Sequence, residues 1–286
     1  MSASSSDSDA PINYAALIGY KSIPAAVIFA LCYLPLCIWF IPKLLTRRTY
    51  VISTLTLFCS MRLTAFILRV VLIASKNVGQ DKNVLIVAEV FFSIGFFGLL
   101  FAAYGLVVDR LELCEARAPP KYENPFNLLT RNRRLFHLVA VAALIMGIIG
   151  ITDSTGSSSS PSSSGTALRR ASVAVFLVLT LVQAYQTFVL VRTERSENPI
   201  LHAQNLGDSI GSTHGSIIFT VMAGLLIIRE IYMVATIGSI TLSNKEDMWY
   251  PLVALPELLC VALYVAPGVI PPPVPIAYAS AISQYA

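Results

Sequence analysis

The sequence predicts an all-α integral membrane protein: a bundle of seven spanning helices with its N-terminus outside and its C-terminus in the cytoplasm. Composition is the first sign, since 56% of the residues are hydrophobic and only 13% charged, where soluble domains carry about a quarter charged. A mean hydropathy of +0.71 agrees. The third sign is distribution: the apolar residues are gathered into continuous blocks divided by short polar, basic or Ser-rich joints. A hydrocarbon core of about 30 Å takes about 20 apolar residues per helix. Continuous blocks favour helices over barrel strands, which alternate over about ten residues, and every backbone group in lipid must be paired internally.

Taken in order, residues 1–21 form an exterior tail. Met1–Ala10 has no basic residue, so no cleavable signal peptide is expected and the first apolar run serves as its own insertion signal. The spanning domain covers 22–269, with spans at about 22–42, 50–74, 84–108, 135–151, 171–191, 216–237 and 249–269. Between the fourth and fifth spans, Ser154–Ser164 reads STGSSSSPSSS. It cannot bury enough apolar surface to offset its ordering entropy and is expected to be a disordered exterior loop. Residues 270–286 form a short Pro-rich cytoplasmic tail, in which Pro271-Pro-Pro-Val-Pro275 favours an extended conformation.

Basic residues set the orientation, because cytoplasmic loops collect Lys and Arg. Of the 20 present, eleven fall on the side reached after the first span, six on the other side, Arg169 and Arg170 among them, and three within spans. The net charge of +4 reflects this asymmetry. No basic stripe is interleaved with aromatics outside the membrane, so no nucleic-acid partner is expected. Cys32, Cys37, Cys59 and Cys260 lie within spans and Cys114 on the cytoplasmic side, where none is placed for an exterior disulfide. They read as packing residues, with Cys114 the one candidate for palmitoylation.

Charges inside the spans are the candidate site. Arg62 and Arg69 lie in the second span, Glu89 in the third, Arg229 and Glu230 in the sixth and Glu257 in the seventh. Each costs about 2.5 to 3.5 kcal/mol at mid-bilayer even on the lenient insertion scale, so each needs a partner, a wet cavity or a route to the interface. Arg62 and Arg69 are nearly two turns apart and share a face that must look inward. Arg69 is expected to pair with Glu89, and Arg62 with Glu257 or Glu230. Two readings stay open: internal ion pairs that fix helix register, or a polar pocket in which arginine grips an anionic or hydroxylated head group.

Several chemistries lack their residues. All six lysines fall in loops or at helix ends, which leaves no buried amine for a retinal Schiff base. Only His137, His202 and His214 are present, too few and too dispersed for a zinc hydrolase, and no Gly-rich phosphate loop or nucleophile elbow appears. No enzyme activity, metal or cofactor is expected.

Three stretches carry a resemblance: Phe101-Ala-Ala-Tyr-Gly-Leu-Val-Val-Asp-Arg110 at the end of the third span, Ile227-Ile-Arg-Glu-Ile-Tyr232 in the sixth, and Leu255-Pro-Glu-Leu-Leu followed by Ala266-Pro-Gly268 in the seventh. With the seven-span plan they resemble the fungal RTA-like, or lipid-translocating exporter-like, family and its fungal relatives. That resemblance implies a receptor-like fold, lipid or sphingoid-base movement, resistance to membrane-active toxins and a plasma-membrane location. The second span departs from the family, reading Met61-Arg-Leu-Thr-Ala-Phe66 where the family has an acidic residue and a Gly-Tyr pair before its arginine.

The leading expectation is a protein that handles a lipid or amphiphile, its partners being membrane lipids and an amphiphilic ligand. A receptor-like protein, coupling to a cytoplasmic signalling partner through Asp109 and Arg110, is the alternative. A small-solute transporter built from two three-helix repeats around the fourth span is the third. It is motivated by arginine in both the second and sixth spans and glutamate in both the third and seventh.

Overall fold

The computed structural model describes residues 14–46, 49–115, 130–154, 163–196 and 214–270, and every regular element in them is helical. In chain order these are α1 (Tyr14–Ile18), α2 (Ile23–Thr46), α3 (Tyr50–Ala74), α4 (Lys76–Gly79), α5 (Lys82–Glu115), α6 (Arg133–Ser154), α7 (Ser163–Ser196), α8 (Gly215–Thr236) and α9 (Ile240–Ser243). Next come α10 (Glu246–Trp249), a π-helical turn (Tyr250–Ala254) and α11 (Leu255–Leu263), which run on without a break. Six helices, α2, α3, α5, α6, α7 and α8, are long and apolar enough to cross a membrane.

The segment expected to be the seventh span, 249–269, differs from the rest. Its helix starts earlier, at Glu246, and stops at Leu263, where the chain turns through Gly268 at a φ of 86°. Its length is about 27 Å at about 1.5 Å of rise per residue. The π turn has a local cause. Pro256 has no N–H to donate, and its ring would crowd the carbonyl one α-turn back; the widened turn, in which Leu255 N–H reaches Tyr250 O, relieves that crowding. A π turn inserts one residue into the helix, so it also resets which way Glu257 points.

α5 is the axis of the bundle. It packs against α3, α6, α7, α8 and α11, and its Leu99–Leu100 and Ala102–Val108 are almost wholly enclosed. Close approach is bought by glycine: Gly95, Gly98 and Gly105 place α5 backbone beside Arg62, Thr54 and Tyr50 of α3. At the α6–α7 crossing, Gly150 lies against the backbone of Gly165 and Arg169. By contrast α2 turns Ile28, Leu31, Ile38 and Leu45 outward, an apolar surface suited to acyl chains.

Several boundaries move. α5 continues to Glu115 and α7 begins at Ser163, so Ser163 and Ser164 are helical where a disordered loop was expected; residues 155–162 lie outside the described ones, as do 47–48 and the Pro-rich tail from 271. Residues 14–20 fold back as α1 and bring Tyr20 to 3% exposure. Cys114, the candidate for palmitoylation, is buried at 4%.

Candidate functional site

Arg62 and Arg69 do share the inward face of α3, at 1% and 0% exposure. Arg62 forms an ion pair with Glu257 of α11. The other oxygen of Glu257 accepts from Arg229 Nε at 3.2 Å, and Arg229 Nη1 donates to its neighbour Glu230. Four charges from α3, α11 and α8 thus form one chain, Arg62–Glu257–Arg229–Glu230. Aromatic faces complete the shell: the Arg229 guanidinium carbon sits 3.6 Å from the Phe96 centroid, and that of Arg62 lies 5.0 Å from Phe92 and 5.3 Å from Phe58. Rings present negative charge to a cation without demanding a further buried carboxylate.

The Arg69–Glu89 pair expected from the sequence is not formed. Arg69 Nη2 donates to Glu246 Oε1 at 3.1 Å, and its guanidinium is caged by Tyr20, Trp249 and Tyr250 at 3.9, 4.4 and 5.0 Å. Tyr20 is the reason: its ring lies over Arg69 while its hydroxyl donates to Glu89 Oε1 at 2.6 Å, so it separates the two charges. Burial, reinforced by Glu89, holds the Tyr20 phenol well above its ordinary range. Glu246 also accepts the Ser22 and Lys21 backbone N–H groups at 2.7 and 3.0 Å, fastening α2 to α10. Sequence reasoning missed Glu246 and Tyr20 because both lie just outside apolar runs. The available signal was Glu246 beside Asp247, an acidic pair suited to a helix N-terminus.

Beside the ion chain are two adjoining cavities of about 40 and 70 Å³, which share Glu89, Ser93, Arg169, Arg229 and Met233 as walls. The smaller adds Arg62, Ser243, Asn244 and Trp249, and the larger adds Phe96, Ser172, Phe176 and Glu230. A water needs about 10–15 Å³ of such space, so each lobe holds a few heavy atoms. Arg169, which the sequence placed in a joint, points inward: Nη2 donates to Ser243 Oγ at 3.3 Å, and no carboxylate pairs with it among the described residues. Arg62 Nη2 is within ion-pair reach of Glu257 but not in hydrogen-bond geometry. Arg62 Nε and Nη2 and Glu230 Oε2 are therefore buried with no hydrogen-bond partner in the protein. A half-satisfied buried network is costly, and these atoms face the question of what completes it.

Residues 22–269 match a family described as Domain of unknown function (DUF7702). The chain belongs to the DUF7702 family. All six charged residues expected from the sequence, and Glu246 and Arg169 as well, lie within the matched segment of this DUF7702 protein, whereas Tyr20 lies just ahead of it. No curated protein and no solved structure matches the chain.

At the opposite end, the DUF7702 chain gathers a second cluster around Asp109 and Arg110. Asp109 accepts from Tyr50 Oη of α3 and from Arg133 of α6. Arg110 Nε donates to Glu194 Oε1 of α7 at 2.8 Å, with Phe219 of α8 5.5 Å from its guanidinium carbon. Two consecutive residues of α5 thus tie down the ends of α3, α6, α7 and α8. Among the described residues, no group of three or more His, Cys, Asp or Glu is placed to hold a metal ion.

Proposed function

We propose that this DUF7702 protein crosses the membrane seven times, with Glu246–Leu263 as the last span and the Asp109–Arg110 end in the cytoplasm, and that it takes the head group of a lipid or amphiphile into the cavity beside the ion chain. Translocation or sensing follows from admitting that group. One observation carries the reading: Arg62 and Glu230, each with a buried atom that makes no hydrogen bond in the protein, line a cavity formed by five membrane helices and the last segment. Ion pairs that merely fixed helix register would satisfy one another, and would gain nothing from a cavity in hydrocarbon. The resemblance to lipid-translocating exporter-like proteins supports the same reading, together with a plasma-membrane location.

Movement of a fluorescent phospholipid and of a fluorescent sphingoid base in proteoliposomes tests it. Arg62→Met, which leaves Glu257 its Arg229 partner, should slow movement at least tenfold while circular dichroism stays unchanged. Wild-type flux equal to protein-free liposomes, or full flux in the variant, would overturn translocation.

A receptor-like reading is favoured by the second cluster, where one charged pair of residues holds four helix ends. G-protein activation measured beside flux separates the two, and activation without flux selects the receptor.

A further inference from the structure

The groups around the cavity whose hydrogen bonding is incomplete differ in sign, and they are not on the same side. Arg62, whose buried Nε makes no hydrogen bond and whose Nη2 has only the Glu257 ion pair, borders the smaller lobe together with Asn244; Glu230, whose buried Oε2 makes no hydrogen bond, borders the larger lobe together with Ser172. Arg169 lacks a carboxylate among the described residues and reaches both lobes. A lone anion would satisfy Arg62 and leave the Glu230 oxygen bare. A lone cation would do the reverse.

Charge balance points the same way. Arg62, Arg169 and Arg229 face Glu89, Glu230 and, behind the wall, Glu257. An unbalanced ion would add net charge to a region where each buried charge is expensive. Water could fill the space, but a ligand carrying both signs supplies donors and acceptors where each is missing. The larger lobe also carries Phe96 and Phe176, and aromatic walls suit an ammonium group.

We propose that the cavity binds a zwitterion, with its phosphate or carboxylate toward Arg62 and Arg169 in the smaller lobe and its ammonium toward Glu230 and Glu89 in the larger. This rests on the reading that the cavity admits a head group and specifies that group's charge. Lobes of about 40 and 70 Å³ suit a compact anionic group and a bulkier ammonium respectively.

The test uses the full chain in a non-ionic maltoside detergent, on a Trp39→Phe background so that emission reports Trp249 at the smaller lobe. Four probes are titrated: glycerophosphocholine, dihexanoylphosphatidylcholine, dihexanoylphosphatidate and hexyltrimethylammonium. The choline phospholipid should bind at least tenfold more tightly than phosphatidate or hexyltrimethylammonium, each of which carries charge of one sign only. Glu89→Gln should shift preference toward phosphatidate, and Arg169→Gln toward the ammonium. Arg169 is partly exposed, so its variant keeps the test open should Glu89→Gln fail to fold.

Equal or tighter binding of phosphatidate or hexyltrimethylammonium overturns the zwitterion and leaves the amphiphile reading standing. Glycerophosphocholine binding as tightly as the phospholipid supports a free zwitterion and overturns the amphiphile reading instead. No response to any probe overturns both and leaves a water-filled cavity.

Discussion

At the residue scale the decisive feature is that Glu257 serves two arginines, Arg62 and Arg229. Removing one partner of a buried pair costs about 3–5 kcal/mol because the other charge is stranded. Glu257→Gln should therefore approach that loss in detergent unfolding, since it strands Arg62 and leaves Arg229 only Glu230, while Arg62→Met should cost clearly less because Arg229 still covers Glu257. Equal losses would contradict the shared-carboxylate geometry. Tyr20 gives a pH prediction. Its folded pKa is raised above the ordinary 10.0, by burial first and then by Glu89, so its contribution is fully present below about pH 10 and is lost as pH rises beyond it. Tyr20→Phe should flatten the alkaline limb of thermal stability. The residue-level pairing was only half legible in the sequence: Arg62 met one of its two expected partners, whereas Arg69 was claimed by Glu246, which sits at a helix start that hydropathy does not register.

At the element scale, helix spacing is set by which glycines face a neighbour. A Cβ on Gly150 would lie 2.7 Å from the Arg169 backbone nitrogen and 3.0 Å from Gly165 O. Neither atom can swing away, so Gly150→Ala should push α6 from α7 and cost about 1–3 kcal/mol. Gly224 has nothing within 4 Å of the same position, and Gly224→Ala should gain about 1 kcal/mol from helix propensity. Opposite shifts in melting temperature check both. Hydropathy located six helices well, because continuous apolar character over some 20 residues is a property of the chain itself. It could not foresee the π turn, whose cause is a proline acting on the carbonyl one turn back and whose effect is on the direction of Glu257.

For the whole molecule, two polar clusters sit at different depths along an apolar bundle. The cavity and ion chain occupy one half, and the Asp109–Arg110 junction closes the other. Glu194→Gln should remove the tie from Arg110 to α7 and raise amide exchange at the last turn of α7, with Arg110→Glu plus Glu194→Arg restoring protection. Orientation is checked by cysteine labelling on intact cells. Asp153→Cys should react with an impermeant maleimide and Arg134→Cys only after permeabilisation, both positions being exposed. The reverse pattern would turn the protein over.

The sequence by itself determined that this is a multi-pass helical membrane protein and which charges had to lie inside it. Those conclusions follow from solvent, since hydrocarbon admits long apolar helices and penalises every bare charge regardless of what the neighbours are. Only the tertiary structure decided who partners whom, that Arg169 turns inward, and that atoms of Arg62 and Glu230 are left over beside a cavity. Ion pairing depends on distances of a few ångströms between helices far apart in the chain, and those distances are set by glycine contacts, one π turn and a tyrosine folded back from ahead of the first span.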